Sequence, residues 1–309
     1  MLSGKVSPSK VFRVNTNIIH TTDYHYFTVL SNNGYSNLFC ERSLIDFQLR
    51  RMLKAIYRFL VSLSINPKLI RASLKGRPYF RKDLKEIKAQ LRENKDFHIE
   101  SLYPILRDRF AQSGDLGHYF YEDLTVAQRV FENNPIKHVD VGSRVDGFVA
   151  HIATFREIEV FDIRPQQAHV KNIKFVTADF THLAPELHNY TDSLSSLNVV
   201  EHFGLGRYGD AIDVNGHLKG LDSMYKILKP GGKFYFSTPI GPQRIEFNAH
   251  RVFSVKYLLD IFRPLYRIDH FSYVDDNGTL HQHVLLDPEK VNTNFGCTLG
   301  FGILEMTKK

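Results

Sequence analysis

The hydrophobic pattern of the first 136 residues predicts three helices. Residues 1–42 show no sustained periodicity, and we expect little regular structure there. From residue 43 to 66, apolar side chains recur every three or four positions with basic residues between them, which predicts an amphipathic helix that Asn66-Pro67 ends. A second, mostly polar helix is predicted from Lys82 to Arg92, and a third over the segment TVAQRVFENN.

Beyond residue 136, short apolar runs alternate with amphipathic stretches, the pattern of a parallel sheet covered by helices. The predicted strands are residues 137–141, 159–161, 173–176, 193–200, 233–237, 267–274 and 300–307. The predicted helices are residues 147–154, 218–228 and 255–262. We expect the last two strands to close the sheet as an antiparallel pair. The chain is therefore predicted to hold a poorly structured extension (1–42), a basic helical accessory region (43–114) and an α/β domain (115–309).

Composition indicates an ordinary globular protein whose charge is concentrated in one region. The 309 residues are 43% hydrophobic and 24% charged, with a net charge of +7. Much of the positive charge lies between Arg50 and Lys95, in the accessory region. No apolar run approaches about eighteen residues, which predicts no membrane-spanning helix. With only Cys40 and Cys297 as cysteines and no signal-peptide pattern, we expect a reduced, cytoplasmic setting.

The helix predicted over residues 43–66 has two interpretations. Its apolar stripe can pack against a core, or the helix can lie on anionic lipid, which requires apolar and basic faces together. The second interpretation would place the protein peripherally on a membrane. Met52 adds a separate hypothesis, in which translation starts there because MLKAIYRFL is a basic helical start unlike the residues before it. N-terminal sequencing of the native protein tests that hypothesis.

The first strand of the α/β domain ends in a glycine turn. Gly142 follows Asp140 and precedes Ser143, Arg144 and Gly147, and a small residue at this point leaves room for a ligand at a helix N-terminus. Arg144 stands where a dinucleotide fingerprint has its second glycine, which disfavours NAD. Arg144 could instead pair with a ligand carboxylate, or obstruct the turn.

The next two strands end in aspartates. Asp162, followed by Ile163, comes twenty residues after Gly142, where a carboxylate can accept hydrogen bonds from both hydroxyls of a ribose. Asp179 could accept from an exocyclic adenine amine while Phe180 packs on the ring. The alternative for Asp179 is that it caps a helix before Leu183.

These three strand ends, in this order, resemble those of class I S-adenosylmethionine-dependent methyltransferases, as do residues 197–202 and 228–234. The segments EHFGLGRYGD (201–210) and FNAHR (247–251) resemble the uncharacterised methyltransferase-like family known as domain of unknown function 268. The resemblance covers about residues 115–307. It implies a Rossmann-like fold, with a mostly parallel seven-stranded sheet between two layers of helices, and S-adenosylmethionine as cofactor.

The resemblance also implies positions for the cofactor. Gly142 and its neighbours would face the methionine part, Asp162 the ribose and Asp179 the adenine. Asn198 and Val199 would lie under the sulfonium.

Substrate should bind outside the carboxyl ends of the strands, where several polar residues are expected. Methyl transfer to a hydroxyl requires removal of its proton, and histidine titrates near neutrality, so His202 and His250, with Glu201, are the candidate catalytic residues. The alternative is that these residues only brace the strand and the loops around it. No metal site is predicted. The candidate substrate-binding residues are Tyr208, Asp210, Asn248 and Arg251.

We therefore expect a methyltransferase that acts on oxygen of a small-molecule or glycan-type acceptor. The sequence lacks a D/N-P-P-Y-like segment after the fourth strand, which disfavours methylation of nucleic-acid amines, and the accessory region lacks the aromatic interleaving of a single-strand platform. The alternative is a non-catalytic member that keeps the fold as a binding or scaffold module. An NAD-dependent sugar oxidoreductase is disfavoured by the glycine turn.

Overall fold

The computed structural model describes residues 36–93, 96–114 and 116–309. The chain divides between Gln112 and Ser113 into two units, called here the N-terminal and the C-terminal unit. The hypothesis that translation starts at Met52, and the expected lack of regular structure over residues 1–35, lie outside what the described residues test.

The N-terminal unit contains two long helices, α1 (Ser36–Ser62) and α2 (Pro67–Gln90), followed by a 3-10 turn at Asp108–Phe110. Helix α1 begins seven residues earlier than predicted, within the segment expected to lack structure. Helix α2 is much longer than the predicted Lys82–Arg92. The prediction took Asn66-Pro67 only as the end of α1, whereas this pair also begins α2. The Asn66 side chain accepts from the amides of Lys68 (3.0 Å) and Leu69 (3.4 Å), and proline is tolerated in a first turn.

The C-terminal unit is built on one eight-stranded sheet in the order β3-β2-β1-β4-β5-β10-β8-β9. Strands β1 to β5 are parallel, and β10 runs antiparallel to both β5 and β8, which confirms the predicted closing pair. The short strand β9 adds an eighth strand to the seven that were expected. The strands are β1 (His138–Val141), β2 (Ile158–Asp162), β3 (Ile173–Thr177), β4 (Thr191–Leu197), β5 (Leu228–Ile240), β8 (Tyr266–Val274), β9 (Leu280–His281) and β10 (Gly300–Lys308). A separate hairpin consists of β6 (Arg244–Glu246) and β7 (His250–Val252).

Helices cover both faces of this sheet. The helices are α3 (His118–Asn133), α4 (Ala150–Ala153, preceded by a π turn at Val145–Val149), α5 (Gly216–Ile227), α6 (Val255–Leu265) and α7 (Pro288–Asn292). Helices α3 and α4 share one apolar cluster with Val160, Tyr235 and Ile303, whereas α5 and α6 share the other with Phe161, Phe234 and Leu304. Because neighbouring residues of β2, β5 and β10 enter opposite clusters, the centre of the sheet is buried on both faces, as expected for a sheet with helices on both sides.

The strand predicted over 193–200 ends at Leu197, and a 3-10 turn occupies Val200–His202. Further 3-10 turns lie at Pro185–Leu187 and Asn294–Gly296. The strand order, with an antiparallel strand next to β5, is the Rossmann-like fold that was expected. In the part of the chain that the structure describes, no helix has the length and apolar content needed to cross a membrane.

Candidate active site

The turn after β1 is shaped by Gly142. Its φ of +70° lies in the left-handed region that glycine adopts without strain. A Cβ atom there would lie 2.7 Å from Cγ1 of Val199, so a side chain would require Val199 to move. The Gly142 amide donates to the carbonyl of Phe161 on β2 (2.8 Å), which ties the turn to the neighbouring strand. Gly142 therefore allows the backbone to turn at the end of β1 close to Val199.

A buried polar network lies beneath this turn. Asp140 accepts hydrogen bonds from the Ser143 hydroxyl (2.7 Å), the Ser143 amide (2.9 Å) and the Ser195 hydroxyl (2.5 Å). The Ser143 hydroxyl also accepts from the Leu197 amide (3.0 Å), which fixes the turn to β4. Burial outweighs these donors and raises the pKa of Asp140 to about 6. Asp140 thus fixes the shape of the turn from below and does not itself face the cleft described below, whereas Ser143 lines it.

Arg144 and Gly147 lie after the turn in different surroundings. The Arg144 guanidinium binds the Asp146 carboxylate through Nη2 (2.7 Å) and Nε (3.1 Å), and it lies 5.3 Å from the ring centroid of Tyr119. It stands at the rim and leaves the turn unobstructed. A Cβ on Gly147 would lie 2.3 Å from Oδ2 of Asp123, so this glycine allows α3 to pack closely and does not line the cleft.

Asp162 ends β2 with its carboxylate engaged by a neighbouring arginine. Oδ1 accepts from the Arg164 amide (2.8 Å) and Nε (3.0 Å), and Oδ2 accepts from Nη2 (2.7 Å). Both residues are partly exposed, and Ile163 lies beside them on the cleft wall. Ligand hydroxyls that approach this carboxylate would share it with Arg164 or replace that side chain.

Asp179 and Phe180 follow β3. Asp179 Oδ1 accepts from the amide (2.8 Å) and hydroxyl (2.7 Å) of Thr181, so the aspartate closes a local turn. No helix begins between Asp179 and Leu183, so Asp179 is not the helix cap of the alternative interpretation. Partial burial opposes ionisation, but the Thr181 donors and His182 prevail and lower the pKa of Asp179. Phe180 is buried and packs edge-to-face on Phe161, with ring centroids 5.6 Å apart. Both Asp179 and Phe180 line the cleft.

Asn198, at the end of β4, joins the cleft to a buried acid. Its φ is +56°, and its side-chain nitrogen donates to the carboxylate of Glu122 on α3. The same carboxylate accepts from the Ser237 hydroxyl (3.3 Å). Burial raises the pKa of Glu122 well above its ordinary value. Glu122 Oε1 and Asn198 Oδ1 are buried without a hydrogen-bond partner among the described residues. The two side chains are therefore joined only by the hydrogen bond from Asn198 Nδ2 to Glu122 Oε2.

Residues from four consecutive strand ends line one cleft. Two pockets of about 610 and 1250 Å³ share residues and form a continuous groove at the carboxyl ends of β1 to β4. The smaller pocket is lined mainly by apolar side chains, including Val199, Phe161 and Phe180, and the larger one by polar side chains. The residues common to both pockets are Gly142, Asp162, Arg164, Asn198, His202 and Tyr208.

His202 is the candidate base that faces this groove. Its Nδ1 lies 2.7 Å from the Ala249 carbonyl oxygen, an arrangement that assigns the ring proton to Nδ1 and leaves a lone pair on Nε2. Burial, with the nearby Arg207 charge, lowers the pKa of His202 to about 4, so the ring is neutral at pH 7.

Glu201 stands next to His202 but behind the groove. Its Oε1 lies 3.7 Å from His202 Nε2, and Oε2 accepts from the Thr238 hydroxyl (3.4 Å). Only 2% of the residue is exposed, and this burial raises the pKa of Glu201 to about 8. The carboxyl group is therefore mostly protonated at neutral pH, and it lines neither pocket.

Tyr208 closes one side of the groove. The Arg164 and Arg207 guanidinium groups lie 4.5 Å and 5.2 Å from the centroid of its ring, and the His202 ring meets it edge-on at 5.5 Å. These cation–π contacts hold an exposed aromatic ring over the position where the two pockets meet.

The glycine-rich segment that contains Tyr208 is folded around Asp210. One Asp210 oxygen accepts from the amides of Gly204 (2.7 Å) and Gly206 (3.3 Å), and the other accepts from the Tyr208 amide (3.2 Å). Gly204 and Gly206 both have positive φ. Asp210 reaches the pocket wall, but its hydrogen bonds are local, so its evident role is to shape the loop that carries Arg207 and Tyr208.

Arg251 anchors the same loop from β7. Its buried guanidinium donates to the carbonyls of Phe203 (2.5 Å) and Val214 (3.2 Å), with longer contacts to the carbonyls of Glu201 and Asp213 (both 3.4 Å). These contacts occupy the guanidinium group of a residue that was a candidate for substrate binding. Arg251, His250 and the exposed Asn248 lie outside both pockets of the groove. Their hairpin contributes the Ala249 carbonyl, which orients His202.

Several groove residues were not among the predicted ones. Arg164 and Arg207 neighbour predicted residues, and their adjacency to Asp162 and Tyr208 was the available signal. Tyr119 lines the groove from α3, before β1, and Glu122, on the same helix, is buried behind Asn198; no local motif connects either residue with the strand ends. Among the described residues, no group of His, Cys, Asp and Glu side chains is arranged to hold a metal ion.

Comparison with solved structures gives similarities at low sequence identity. One is the Burkholderia thailandensis 1,6-didemethyltoxoflavin-N1-methyltransferase with bound S-adenosylhomocysteine (TM-score 0.45, 14% identity, 62% of this chain and 79% of that chain). Another is the N-methyltransferase NodS from Bradyrhizobium japonicum WM9 (0.42, 12%, 62% and 88%), and a third is the [4+2]-cyclase SpnF (0.42, 14%, 60% and 80%). Likenesses of this size do not bear on what the present chain binds or catalyses. No curated protein matches the sequence.

The strand order is that of a Rossmann-like α/β fold. The family model described as "Caenorhabditis protein of unknown function, DUF268" matches residues 139–294, half of the chain. The chain belongs to this family, as the G-L-G-R-Y-G-D and F-N-A-H-R segments had indicated.

Proposed function

We propose that the protein is an S-adenosylmethionine-dependent methyltransferase that acts on oxygen of a small-molecule or glycan-type acceptor. The observation that carries the proposal is the convergence of Gly142, Asp162, Asp179 and Asn198 on one groove, each from the end of a different parallel strand. In open α/β sheets, ligands bind at this edge. The acceptor class is a prediction from the sequence, which lacks an amino-methylation motif and has a basic helix that would suit lipid-linked or phosphorylated substrates. A cytoplasmic location also stays a prediction.

The residues of the groove fit the proposed cofactor. The Asp162 carboxylate suits a ribose diol, and the apolar pocket with Phe180 and Val199 suits an adenine ring beside Asp179. Gly142 and Ser143 would lie beside the methionine part, within reach of Arg144 at the rim. When bound, S-adenosylmethionine would supply an activated methyl group on its sulfonium.

On the acceptor side, the neutral His202 supports a role as general base. Because its Nδ1 proton is committed to the Ala249 carbonyl, Nε2 is the atom that could take a proton from an acceptor hydroxyl. Such a base contributes about a hundred- to ten-thousand-fold to a rate. The protonated Glu201 adds no charge that would compete for that proton, and Tyr208 offers a ring for acceptor packing.

Calorimetric titration of the full chain with S-adenosylhomocysteine tests the cofactor proposal. We expect binding by the wild type and a loss of at least about tenfold in affinity for Asp162→Ala, since hydrogen bonds to a charged acceptor each contribute about 1.5–3 kcal/mol. Asp222→Ala, which removes an exposed carboxylate on α5 that pairs with Lys226, is the matched control and should bind like the wild type. Absence of binding at millimolar ligand by folded wild-type protein would exclude the proposal.

A non-catalytic binding or scaffold role is the second candidate. The bidentate contact between Arg164 and Asp162 favours it, because an arginine already satisfies the carboxylate that a ribose would use. Binding of S-adenosylhomocysteine without methyl incorporation into oxygen acceptors, including extracts of small molecules and glycans, would support this second role. Incorporation that His202→Gln abolishes would support the enzyme.

A further inference from the structure

Helix α1 exposes a continuous apolar stripe. At 100° per residue, the apolar side chains of this stripe fall within an arc of about 120°, whereas Arg50, Lys54 and Arg58, together with Val61, project from the opposite side. The stripe residues are between 44% and 63% exposed, although aliphatic and aromatic side chains of this size are usually buried. They are Leu49, Met52, Leu53, Ile56, Phe59 and, just beyond the helix, Leu63.

Helix α2 also exposes apolar side chains beside basic ones. Leu69, Ile70 and Leu74 on its first turns are about half exposed. One of its two acids, Asp83, is paired with Arg109 (2.6 Å). Exposed apolar surface therefore extends over both helices of the N-terminal unit, and it exceeds what isolated surface residues account for.

The positive charge of the chain is concentrated on this pair of helices. Residues 48–90 contain twelve lysines and arginines and two acids, a net charge of +10, whereas the whole chain carries +7. The remainder of the chain is thus slightly acidic. Apolar and basic surfaces on one helix pair are what an interfacial segment on anionic lipid requires.

We propose that the N-terminal unit binds the surface of anionic lipid bilayers, with the α1 stripe inserted among the acyl chains and the basic residues at the headgroups. Charge complementarity selects this partner. A nucleic acid would match the basic residues but leave the apolar stripe in water, and an apolar protein surface would bury the stripe but leave the basic residues without countercharge, whereas anionic lipid provides both. Lipid binding by the N-terminal unit does not depend on methyl transfer by the C-terminal unit.

Co-sedimentation of the full chain with vesicles tests the proposal. We expect binding to vesicles of phosphatidylcholine with 30% phosphatidylserine in about 0.15 M salt, and much weaker binding to pure phosphatidylcholine. Raising the salt to about 1 M shortens the Debye length from about 8 to about 3 Å and should weaken binding without abolishing it, because the apolar contribution remains.

Two double variants test whether vesicle binding depends on insertion of the apolar stripe or only on the net charge of α1. Ile56→Glu with Phe59→Glu places two charges in the stripe, and Ala55→Glu with Ser62→Glu places the same two charges on α1 outside it. All four positions are exposed, so both variants should fold. The stripe variant should lose at least about tenfold more partitioning than the matched variant, since burying one large apolar side chain favours partition by more than tenfold.

Three results would overturn the proposal. They are no sedimentation of the wild type with phosphatidylserine vesicles, equal losses in the two variants, and binding of the wild type to single-stranded RNA that competes with vesicles and is unaffected by the stripe variant.

Discussion

Burial shifts the pKa values of two neighbouring residues, Glu201 behind the groove and His202 on its wall, in opposite directions. Glu201 is held neutral by a pKa raised to about 8, and His202 is held neutral by a pKa lowered to about 4. Desolvation disfavours the charged form of each, so a carboxyl group and an imidazole lie 3.7 Å apart with no ion pair at pH 7. This arrangement preserves the lone pair of His202 Nε2.

Glu201 should make stability depend on pH. The unfolded chain loses this proton near 4.5, whereas the folded chain keeps it until about pH 8, so the unfolded state binds fewer protons between these values. The stabilisation is complete below the unfolded pKa and is lost as pH rises to about 8, by up to about 1.4 kcal/mol per pH unit. In urea unfolding between pH 6.5 and 8, Glu201→Gln should show a correspondingly smaller fall in the free energy of unfolding than the wild type.

Exposed Glu186→Gln is the control for this measurement and should keep the wild-type slope. The window starts at pH 6.5 because Asp123 and Asp140, with pKa values raised to about 6 by burial, contribute mainly below it. Glu122 adds a slope of the same sign in both variants. Parallel pH profiles for Glu201→Gln and the wild type would show that Glu201 is not the titrating group.

Single residues were predictable from sequence where a strand end fixes their position. Gly142, Asp162 and Asp179 face the groove because β1, β2 and β3 are parallel neighbours, which the hydrophobic pattern indicated. Arg251 was not predictable, because an arginine that binds four backbone carbonyls and one that binds a substrate anion look alike in sequence. Glu122 reaches Asn198 only through the packing of α3, which no local pattern records.

At the scale of elements, the segment from Phe203 to Asp213 depends on glycine for two different reasons. Gly204 (φ +76°) and Gly209 (φ +85°) both adopt left-handed backbone. A Cβ on Gly204 would lie 2.0 Å from the Asp213 carbonyl oxygen, whereas a Cβ on Gly209 meets nothing within 4 Å. Gly204 is therefore needed because the backbone at Asp213 packs against it, whereas Gly209 is needed only for its left-handed conformation.

These glycines give a paired prediction. Gly209→Ala should cost about 1–2 kcal/mol, the usual strain of alanine in this conformation. Gly204→Ala should cost at least about 1 kcal/mol more, because the Asp213 carbonyl, which accepts from the Gly216 amide and from Arg251, must move. The hydrogen bond from the Asp213 amide to the Gly204 carbonyl is disturbed at the same time. Urea unfolding gives both values, and hydrogen exchange over 203–213 should be faster in Gly204→Ala. Equal costs would contradict the closing role of Gly204.

The elements that the sequence predicted best are those buried on both sides. The strands of the parallel sheet were located within about three residues at most ends, because their apolar runs are too short for helices and are bounded by turn residues. Helix α2 was largely missed. Pro67 reads as a helix end although it begins a helix, and Pro78 interrupts the pattern in its interior.

At the scale of the whole molecule, the C-terminal unit carries its own apolar clusters on both faces of its sheet. Residues 113–309 expressed alone should fold cooperatively and bind S-adenosylhomocysteine within about twofold of the full chain, since every groove residue named above lies in this unit. The measurements are urea unfolding and calorimetry. A fragment that is unfolded or has lost affinity would show that residues before 113 complete the domain.

The position of Tyr208 has an optical consequence. The chain contains no tryptophan. Tyr208→Trp would therefore place the sole indole of the protein between two guanidinium groups, at the junction of the two pockets. Any molecule that entered the groove would change the polarity around that ring, so its emission would report occupancy directly. Libraries of unlabelled compounds could then be screened for the acceptor before any reaction is known.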